Sequence, residues 1–513
     1  MILQDKHSKK INIIFGPPGT GKTTHLLNIV EKELQQGTPP DRIGYFAFTN
    51  KAADEAMARA IVKFGLDKKD LKYFRTLHSM AFKFLGLKNA DVMGDKDYKE
   101  LSDYLQVNII NPNKTVKDLG ISQPQDPYLK IIDTAKVKNI SLSAAFLQSD
   151  EHIRGGFEFL SYIDRGIEDF KKRKNVLNFT DMILKFNERK DAPKLDVAII
   201  DEAQDLSFIQ WQMVELIIRN CDRAYIAGDD DQAIFDWAGA DTKRLGLIGG
   251  ERTVLNQSYR IPRSIHKLAN NLITKVRDRV PKDWQPKDRE GLVKYHRTCF
   301  NPSIDLTNGS WLILARTNYI AEQFIEDLKS KGFFYEYKGR SSVSDKMMNA
   351  IKGWKKIQQD EPIELPIVKD IYHYISGNSG IERGFKNLEN ASDEVTYDYE
   401  SLVVKHGLNV DKNTEWNFAL DKIPAEQTRY INSAMDRDQD FHKSKNIKIS
   451  TIHASKGGEA DNVMLLKDLP TKVDNNISKV IDDERRVFYV GATRAKKSLH
   501  LISSKSNREF KEL

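Results

Sequence analysis

A glycine-rich segment near the start of the chain has the spacing that binds nucleotide phosphates. It fits the pattern G-x-x-x-x-G-K-[ST] and stands between a predicted strand, Ile11–Phe15, and a predicted helix. Glycines in such a loop let backbone N–H groups approach phosphate oxygens. We expect Lys22 to reach the β- and γ-phosphates and Thr23 to hold Mg²⁺. The residues expected to contact the nucleotide are Gly16, Pro17, Pro18, Gly19, Thr20, Gly21, Lys22, Thr23 and Thr24. Alone, the segment fits small-molecule kinases, GTPases and AAA-type machines equally well.

Two adjacent carboxylates, Asp201 and Glu202, follow an apolar run that is typical of a buried strand. Neighbouring carboxylates at such a position are costly unless a cation compensates them, and Mg²⁺ is the cation that fits. We expect Asp201 to bind the metal through water and Glu202 to polarise the attacking water as a general base. An acidic surface loop is the alternative, and the apolar residues before the pair argue against it.

A second loop, residues 227–240, follows another predicted strand and combines an amide with aromatic rings. Gln232 is placed to sense a γ-phosphate, whereas Phe235 and Trp237 alternate with small residues. A tryptophan packs poorly in a glycine-rich loop, so an exposed platform on which nucleic-acid bases stack is one interpretation. Simple packing of the two rings is the other, and the aromatics alone do not decide between them.

Strands and helices alternate along the chain and must position these side chains. The predicted strands of the first series are residues 11–15, 43–49, 197–200 and 224–227. A second series has predicted strands at residues 311–316, 333–337, 447–451, 463–466 and 499–502. Such alternation favours parallel α/β sheets, whose ligands bind beyond the carboxyl ends of the strands. Two stretches break it, 87–191, which is mainly helical in pattern, and 342–445, which is polar and irregular; both are interpreted as inserted subdomains.

The composition is that of a water-soluble protein with several domains. The chain has 513 residues, of which 40% are hydrophobic and 30% charged, with a formal net charge of +7. This mild basic excess fits a polyanionic partner without proving one. Two distant cysteines, Cys221 and Cys299, argue against a disulfide framework or a zinc site. No secretory signal is visible, and no apolar run approaches the roughly 18 residues of a membrane helix, so we expect a cytoplasmic protein.

Eight short segments, in this order, resemble the motifs of the UvrD/Rep/PcrA-type helicases of superfamily 1, class A. They are residues 16–23, 46–53 (FAFTNKAA), 75–80 (RTLHSM), 201–205 (DEAQD), 228–240, 255–260 (LNQSYR), 451–459 (TIHASKGGE) and 484–495 (ERRVFYVGATRA). Their collinear order over both ends of the chain is far more specific than any single motif. The resemblance implies an α/β fold of two tandem RecA-like P-loop NTPase domains, each with an inserted, mainly helical or irregular subdomain.

The same resemblance implies domain boundaries and an ATP site between the two RecA-like domains. Domain 1 would comprise residues 1–86 and 192–257, domain 2 residues 258–341 and 446–513, and the insertions residues 87–191 and 342–445. The implied catalytic residues are Lys22, Glu202, Gln232, Arg260 and Arg494. The two arginines would act as fingers on the γ-phosphoryl group, because a planar guanidinium meets its spread charge bidentately. Tyr259 would stack on adenine, and Glu459 would contact ribose.

Candidate contacts to a single nucleic-acid strand also follow from the resemblance. They are Phe48, Thr49, Asn50, Thr76, His78, Phe235, Trp237, Thr451, His453 and Lys456. Helix capping by the residues at 49 and 50, and ordinary burial of the two histidines, are the plain alternatives. The sequence departs from the family pattern before the phosphate loop, where Gln4 is the sole candidate for an adenine-recognition glutamine. It departs again at residues 237–239, where Trp-Ala-Gly replaces the usual Trp-Arg-Gly, and at residues 457–460, where Gly-Gly-Glu-Ala replaces Gly-Leu-Glu-Phe.

We therefore expect Mg²⁺-dependent ATP hydrolysis coupled to 3′–5′ movement along single-stranded DNA and to unwinding of duplexes with a 3′ tail. The polarity rests on the resemblance of residues 46–53 alone, and a monomer acting in replication, recombination or repair is expected. One alternative is a translocase that strips proteins from DNA and unwinds poorly, which the short second insertion motivates. A non-catalytic nucleic-acid sensor and RNA as the track are the others. Because the chain ends soon after Arg494, no C-terminal nuclease is expected.

Overall fold

A computed structural model describes residues 10–112, 126–149, 151–297, 304–377, 379–386, 388, 396–436, 446–504 and 507–513. Gln4 and Cys299 lie outside the described residues. The chain divides into two compact units. Unit 1 comprises residues 1–292, 476–497 and 512, and unit 2 comprises residues 293–475, 498–511 and 513.

The strands, in chain order, are β1 (Ile11–Phe15), β2 (Ile43–Ala47), β3 (Tyr73–Thr76), β4 (Leu195–Ile200), β5 (Cys221–Gly228), β6 (Glu251–Val254), β7 (Gln257–Pro262), β8 (Gln285–Lys287), β9 (Leu292–His296), β10 (Trp311–Ala315), β11 (Glu336–Tyr337), β12 (Arg340–Ser341), β13 (Ile447–Thr451), β14 (Ala460–Leu466) and β15 (Ala495–Ile502). The helices are α1 (Lys22–Gln35), α2 (Asn50–Phe64), α3 (Leu77–Phe84), α4 (Asp95–Leu105), α5 (Pro127–Lys138), α6 (Leu142–Gln148), α7 (Gly156–Lys174), α8 (Phe179–Arg189), α9 (Phe208–Arg219), α10 (Arg244–Leu247), α11 (Arg263–Ile273), α12 (Asn318–Ser330), α13 (Asp345–Gln358), α14 (Leu365–Tyr374), α15 (Tyr399–His406), α16 (Trp416–Ala419), α17 (Ala425–Met435), α18 (Thr471–Asn475) and α19 (Ile477–Ala492).

Unit 1 contains a parallel sheet with the strand order β3–β2–β4–β5–β1–β6. The inner strands β1, β2 and β4 are mainly apolar and buried on both faces, because helices cover both faces of the sheet. On β1, Ile13 packs in the core that includes Trp211 of α9, whereas the next residue, Ile14, packs with Leu26 of α1. The predicted α/β class with parallel strands is confirmed.

The strand order of this sheet places three of the predicted motifs side by side, at the carboxyl ends of adjacent strands. Strand β5 lies between β4 and β1, so the segments that follow these three strands are neighbours at their carboxyl ends. These segments are the phosphate loop, the acidic pair and the loop that contains Gln232. Strands β2 and β3, which precede the candidate strand contacts at residues 48–50 and 76–78, lie on the other side of β4.

The stretch predicted as a helical insertion is helical in the described residues. Helices α4 to α8 lie in it, and a core of its own includes Leu101, Ile132, Leu160 and Ile163. The basic run near the end of α7 is not uniformly solvent-exposed. Lys171 is buried and pairs with Asp181 at 2.7 Å, so this lysine joins α7 to the start of α8.

Unit 2 is built on a second sheet with the strand order β12–β11–β13–β10–β14–β15–β9, which lies mainly in this unit. Strand β10 pairs in parallel with both β13 and β14. The stretch predicted as polar and irregular contains α13 to α17, and Trp354 and Tyr372 are almost fully buried in its core. The sequence pattern did not predict these helices, because they have only 4 to 14 residues each and are separated by polar turns.

No helix within the described residues is both long enough and apolar enough to cross a bilayer.

Candidate active site

The loop between β1 and α1 is tied to the sheet and to itself by short hydrogen bonds. The backbone N–H of Gly16 donates to the carbonyl of Gly228 at 3.0 Å, which fixes the loop against the end of β5. The Thr20 hydroxyl donates to the carbonyl of Pro17 at 2.8 Å, and Thr20 is itself buried. These hydrogen bonds hold the predicted phosphate loop in a defined conformation.

Glycine is required at two positions of this loop. Gly19 and Gly21 have φ angles of 74° and 75°, in the left-handed region that disfavours side chains. A Cβ atom at position 19 would lie 2.3 Å from the Cβ of Arg260, so a larger residue would displace this arginine. Gly21 also precedes α1 without a side-chain cap, which leaves the N–H groups of the first helical turn available to an anion. The loop and helix start together fit a phosphate group.

The ammonium of Lys22 lies between the two predicted acidic residues. Its Nζ is 3.1 Å from Oδ1 of Asp201 and 2.7 Å from Oε1 of Glu202. Burial alone would lower the pKa of Lys22, but the two carboxylates outweigh burial and hold this pKa above its ordinary value. The phosphate lysine and the acidic strand end are thus brought into direct contact, as the motifs predict for a shared site.

Asp201 is fixed in orientation by partners on both carboxylate oxygens. The Tyr45 hydroxyl, on the neighbouring strand β2, donates to Oδ2 at 2.8 Å, and the N–H of Glu202 donates to Oδ1 at 2.8 Å. Tyr45 is completely buried, and burial followed by the charge of Asp201 raises its pKa well above the usual value. Tyr45 therefore remains a neutral donor that orients the predicted metal ligand.

Glu202 has a strained backbone at the point where general-base chemistry is predicted. Its φ of 55° is in the left-handed region, which a residue with a side chain adopts at a cost of roughly 1–3 kcal/mol. The amide nitrogen of Gln204 donates to Oε2 of Glu202 at 2.6 Å, and Gln204 is fully buried. The strained backbone and this hydrogen bond together set the direction of the Glu202 carboxylate.

The segment at residues 258–260 is hydrogen-bonded to the phosphate loop. The Ser258 hydroxyl donates to the carbonyl of Pro18 at 2.8 Å, and the N–H of Tyr259 donates to the carbonyl of Gly19 at 2.8 Å. The Tyr259 ring is 70% exposed, and its nearest carbons lie 4.0 Å from the place of a Cβ on Gly21. The predicted adenine-stacking ring and Arg260 are therefore held beside the loop.

Arg494 and Gln232 are in direct contact. The Nη2 of Arg494 donates to Oε1 of Gln232 at 2.9 Å, and the Nε of Arg494 donates to the carbonyl of Val490 within α19. Arg494 is only 2% exposed, so its guanidinium is held firmly in place. Both predicted arginine fingers thus belong to the same compact unit as the phosphate loop.

Two of the predicted strand contacts are helix caps. The Thr49 hydroxyl accepts the N–H of Ala52 at the start of α2, and the Thr76 hydroxyl accepts the N–H of Ser79 at the start of α3. Asn50, the first residue of α2, is exposed. Capping accounts for the threonine hydroxyls, and exposure leaves the asparagine amide accessible to a ligand.

His78 is half-buried and carries no charge at neutral pH. Burial lowers the pKa of His78 to about 4. Its ring meets the edge of Phe179 with 5.9 Å between centroids. Any contact that His78 makes to a nucleic-acid strand would therefore use a neutral imidazole.

The two predicted aromatic contacts that follow β5, Phe235 and Trp237, differ in their exposure to solvent. Phe235 is only 3% exposed, and it stacks on Phe48 with 5.9 Å between ring centroids. Trp237 is 36% exposed and meets Phe235 edge-on at 5.9 Å. Phe235 is thus a packing residue that supports the exposed ring of Trp237.

Four of the remaining predicted residues lie in unit 2: Thr451 ends β13, and His453, Lys456 and Glu459 lie in the loop between β13 and β14. The Thr451 hydroxyl accepts the N–H of Ala454 at 3.2 Å, and His453 is buried. Lys456 is half-buried and Glu459 is exposed. In the phosphate-loop helix of unit 1, Thr23 is half-buried and Thr24 is exposed.

The roles of several side chains that support the site were not predicted from the sequence. These side chains are Tyr45, Gln204, Ser258 and Lys282, whose Nζ lies 2.6 Å from Asp230 in the loop that contains Gln232. Only Gln204 and Ser258 stand inside recognised motifs, and their types suggested no role. The partners of Tyr45, Ser258 and Lys282 are distant in sequence, as with the 240 positions between Ser258 and Pro18, and no local pattern reveals such pairs.

Comparison with known proteins gives matches over most of the chain. Residues 4–248 match the UvrD/REP helicase N-terminal domain, and residues 408–506 match the UvrD-like helicase C-terminal domain. The chain is 24% identical to a probable DNA helicase II homolog of Mycoplasma pneumoniae, over 96% of this chain and 82% of the relative. It is 22% identical to a probable DNA helicase II homolog of Rickettsia felis, over 99% of this chain and 92% of the relative. These alignments run over 610 and 617 positions, so both relatives contain internal segments that this chain lacks.

Proposed function

The chain belongs to the UvrD/REP helicase family, and we propose that it is an ATP-dependent DNA helicase that moves 3′–5′ along single-stranded DNA. One observation carries the proposal. The phosphate loop, the acidic pair and two arginines meet at one edge of a single sheet, with Lys22 bonded to Glu202 and Arg494 bonded to Gln232. This combination suits phosphoryl transfer, which needs charge stabilisation and a positioned water.

The side chains suit ATP and Mg²⁺ by their chemistry. The hydroxyl of Thr23 and the carboxylate of Asp201 are hard oxygen ligands of the kind that Mg²⁺ prefers, and the ion would neutralise phosphate charge. A γ-phosphate would compete with both carboxylates for the ammonium of Lys22. Release of Lys22 would allow the Glu202 carboxylate to accept a proton from water, as a general base must.

The simplest test is ATP hydrolysis measured with and without nucleic acid. We expect hydrolysis to be stimulated by single-stranded DNA and more weakly by RNA of the same length. Binding to single-stranded DNA should weaken with salt, with a slope of about −0.7 per neutralised phosphate. No stimulation by either polymer would favour a nucleic-acid sensor. Stimulation without strand displacement would favour a translocase that clears bound proteins.

Polarity gives the first specific prediction. A duplex with a 3′ single-stranded tail should be opened, whereas a duplex with only a 5′ tail should remain closed. The expectation rests on residues 46–53, whose sequence is similar to that of helicases with this direction. Strand displacement on the two tailed duplexes, with a blunt duplex as control, measures it. Efficient opening from the 5′ tail alone would reverse the proposed direction.

Trp237 gives the second prediction, because its ring is exposed while its neighbour Phe235 is buried. Stacking of a base on an aromatic ring contributes about 1–3 kcal/mol, and opening one base-pair step costs about 1.4 kcal/mol. Trp237→Ala should therefore reduce unwinding much more than it reduces ATP hydrolysis without DNA. Phe418→Ala, which removes a ring that is 71% exposed outside the motifs, is the control.

The deciding measurement for Trp237→Ala is the number of ATP molecules consumed per base pair opened. We expect this ratio to rise in Trp237→Ala and to stay unchanged in Phe418→Ala. A constant ratio in both variants would show that the tryptophan only packs against the loop.

A further inference from the structure

Three consecutive carboxylates follow β5 and are buried together with two cations. The side chain of Lys282 is completely buried, and its Nζ lies 2.6 Å from Asp230 and 3.0 Å from Asp231. The same Nζ is 3.3 Å from Oδ1 of Asp229. Arg279 adds two hydrogen bonds to Asp231, at 2.8 and 2.6 Å. The three aspartates belong to a motif recognised in the sequence and directly precede Gln232. The two cations, Arg279 and Lys282, lie outside the recognised motifs.

Asp229 joins this cluster to the predicted γ-phosphate sensor. Its Oδ2 accepts the side-chain amide of Gln232 at 2.7 Å, and its Oδ1 accepts the N–H of Asp231 at 3.2 Å. Its own N–H donates to the side-chain carbonyl of Gln204, which in turn is bonded to Glu202. Asp229 is therefore held on every side and has no freedom to turn.

The hydrogen-bond partners of Gln232 determine the orientation of its side-chain amide. A carboxylate only accepts hydrogen bonds and a guanidinium only donates them. The amide nitrogen of Gln232 must therefore face Asp229, and the amide oxygen must face Arg494, as the two hydrogen bonds of 2.7 and 2.9 Å show. The opposite orientation would place donors against donors at one end and acceptors against acceptors at the other.

We infer that Asp229, kept ionised by the buried Lys282, is a positioning residue that holds the Gln232 amide in the one orientation that engages Arg494. The inference deepens the proposed ATP hydrolysis and rests on it. Lys282 acts at one remove, because its Nζ contacts Oδ1 of Asp229, whereas Gln232 donates to Oδ2 of the same carboxylate.

The charge on Lys282 matters because burial works against an ionised Asp229. Burial raises the pKa of Asp229 to about 6, and the neighbouring ammonium of Lys282 opposes this rise. A protonated Asp229 would present an O–H donor where Gln232 needs an acceptor. A buried cation at this place therefore keeps the carboxylate in its accepting form.

Asp229→Asn tests the orientation with almost no change of shape. The new amide nitrogen cannot face Lys282 or the N–H of Asp231, since both are donors toward Oδ1. It must then face Gln232, which forces the glutamine amide to turn over and to present its nitrogen to Arg494. Loss of a hydrogen bond to a charged group should lower kcat about 10- to 100-fold, with KM for ATP within about threefold.

Asp230→Asn is the matched control. It removes one negative charge from the same cluster, but its Oδ1 contacts Lys282 and its Oδ2 accepts the N–H of Val280, so Gln232 is not involved. Both substitutions remove one buried negative charge and leave an amide nitrogen beside a donor, so the two variants should show similar changes of melting temperature. Lys282→Met is less informative alone, because removing one partner of a buried ion pair strongly destabilises a fold.

Two measurements besides turnover separate positioning from general support. Affinity for ADP with aluminium fluoride, which mimics the phosphoryl group in transit, should fall in Asp229→Asn but not in Asp230→Asn, while affinity for ADP alone stays constant in both. Combining Asp229→Asn with Gln232→Ala should lower kcat no further than Gln232→Ala does, because Asp229 acts through this side chain.

The outcomes are distinct. A kcat loss confined to Asp229→Asn, with the non-additive double variant, supports the inference. Equal kcat in Asp229→Asn and the unsubstituted chain, equal losses in the two asparagine variants, or additive losses in the double variant would overturn it. Absence of ATP hydrolysis in the unsubstituted chain would overturn the proposed function and the inference with it.

Discussion

Glu202→Gln is expected to retain ATP binding while turnover falls by about 10² to 10⁴. Glutamine keeps the size of the side chain but cannot accept a proton from water. The substitution also removes one of the two carboxylates that hold the ammonium of Lys22, at 2.7 Å, while the pair with Asp201 at 3.1 Å remains. Because phosphate then has one competitor fewer for Lys22, affinity for ATP should be equal or higher.

Nucleotide binding and single-turnover hydrolysis, measured on the same preparation, test this result. Glu188→Gln changes an exposed carboxylate elsewhere in unit 1 and should alter neither quantity. Near-normal turnover in Glu202→Gln would remove the general-base assignment, and weaker ATP binding would contradict the competition for Lys22.

Arg494→Ala is expected to reduce kcat by about 10³ or more, as the loss of an arginine finger does. The physical reason is the loss of a planar cation that meets spread phosphoryl charge, together with the loss of the partner of Gln232 at 2.9 Å. Arg494→Lys keeps the charge but not the fork of donors, so it should restore only part of the rate.

Thermal unfolding must accompany the kinetics of Arg494→Ala, because the side chain is 2% exposed and also donates to Val490. We expect a modest fall in melting temperature and a far larger fall in kcat. If lysine restored the full rate, the guanidinium would be acting as a simple charge rather than as a bidentate finger.

The local sequence pattern was sufficient to predict the strands that position the site. The predicted strands Ile11–Phe15 and Ile447–Thr451 have the bounds seen in the structure, because short apolar runs between turn residues are strong signals. The phosphate loop was equally accessible, since its glycines and lysine are adjacent in sequence. The strand predicted at residues 333–337 shrinks to Glu336–Tyr337, where Phe334 and Tyr335 pack in the core before pairing begins.

Contacts between distant segments could not be predicted, and they decide the detailed geometry. Tyr45 and Asp201 are 156 positions apart, and their hydrogen bond depends on β2 lying beside β4. The roles of Phe235 and Trp237 were left open by the sequence, because residue type alone does not give exposure. The structure separates the two rings by burying one and leaving the other accessible.

The left-handed backbone of Glu202 makes stability and activity compete at a single position. Glycine at 202 would relieve a conformational penalty of roughly 1–3 kcal/mol and would remove the carboxylate at the same time. Screens that select variants of this chain for heat resistance would therefore favour the loss of the very group on which turnover is proposed to depend. Thermostable variants of this protein should accordingly be sought by fixing position 202 and varying the surface elsewhere.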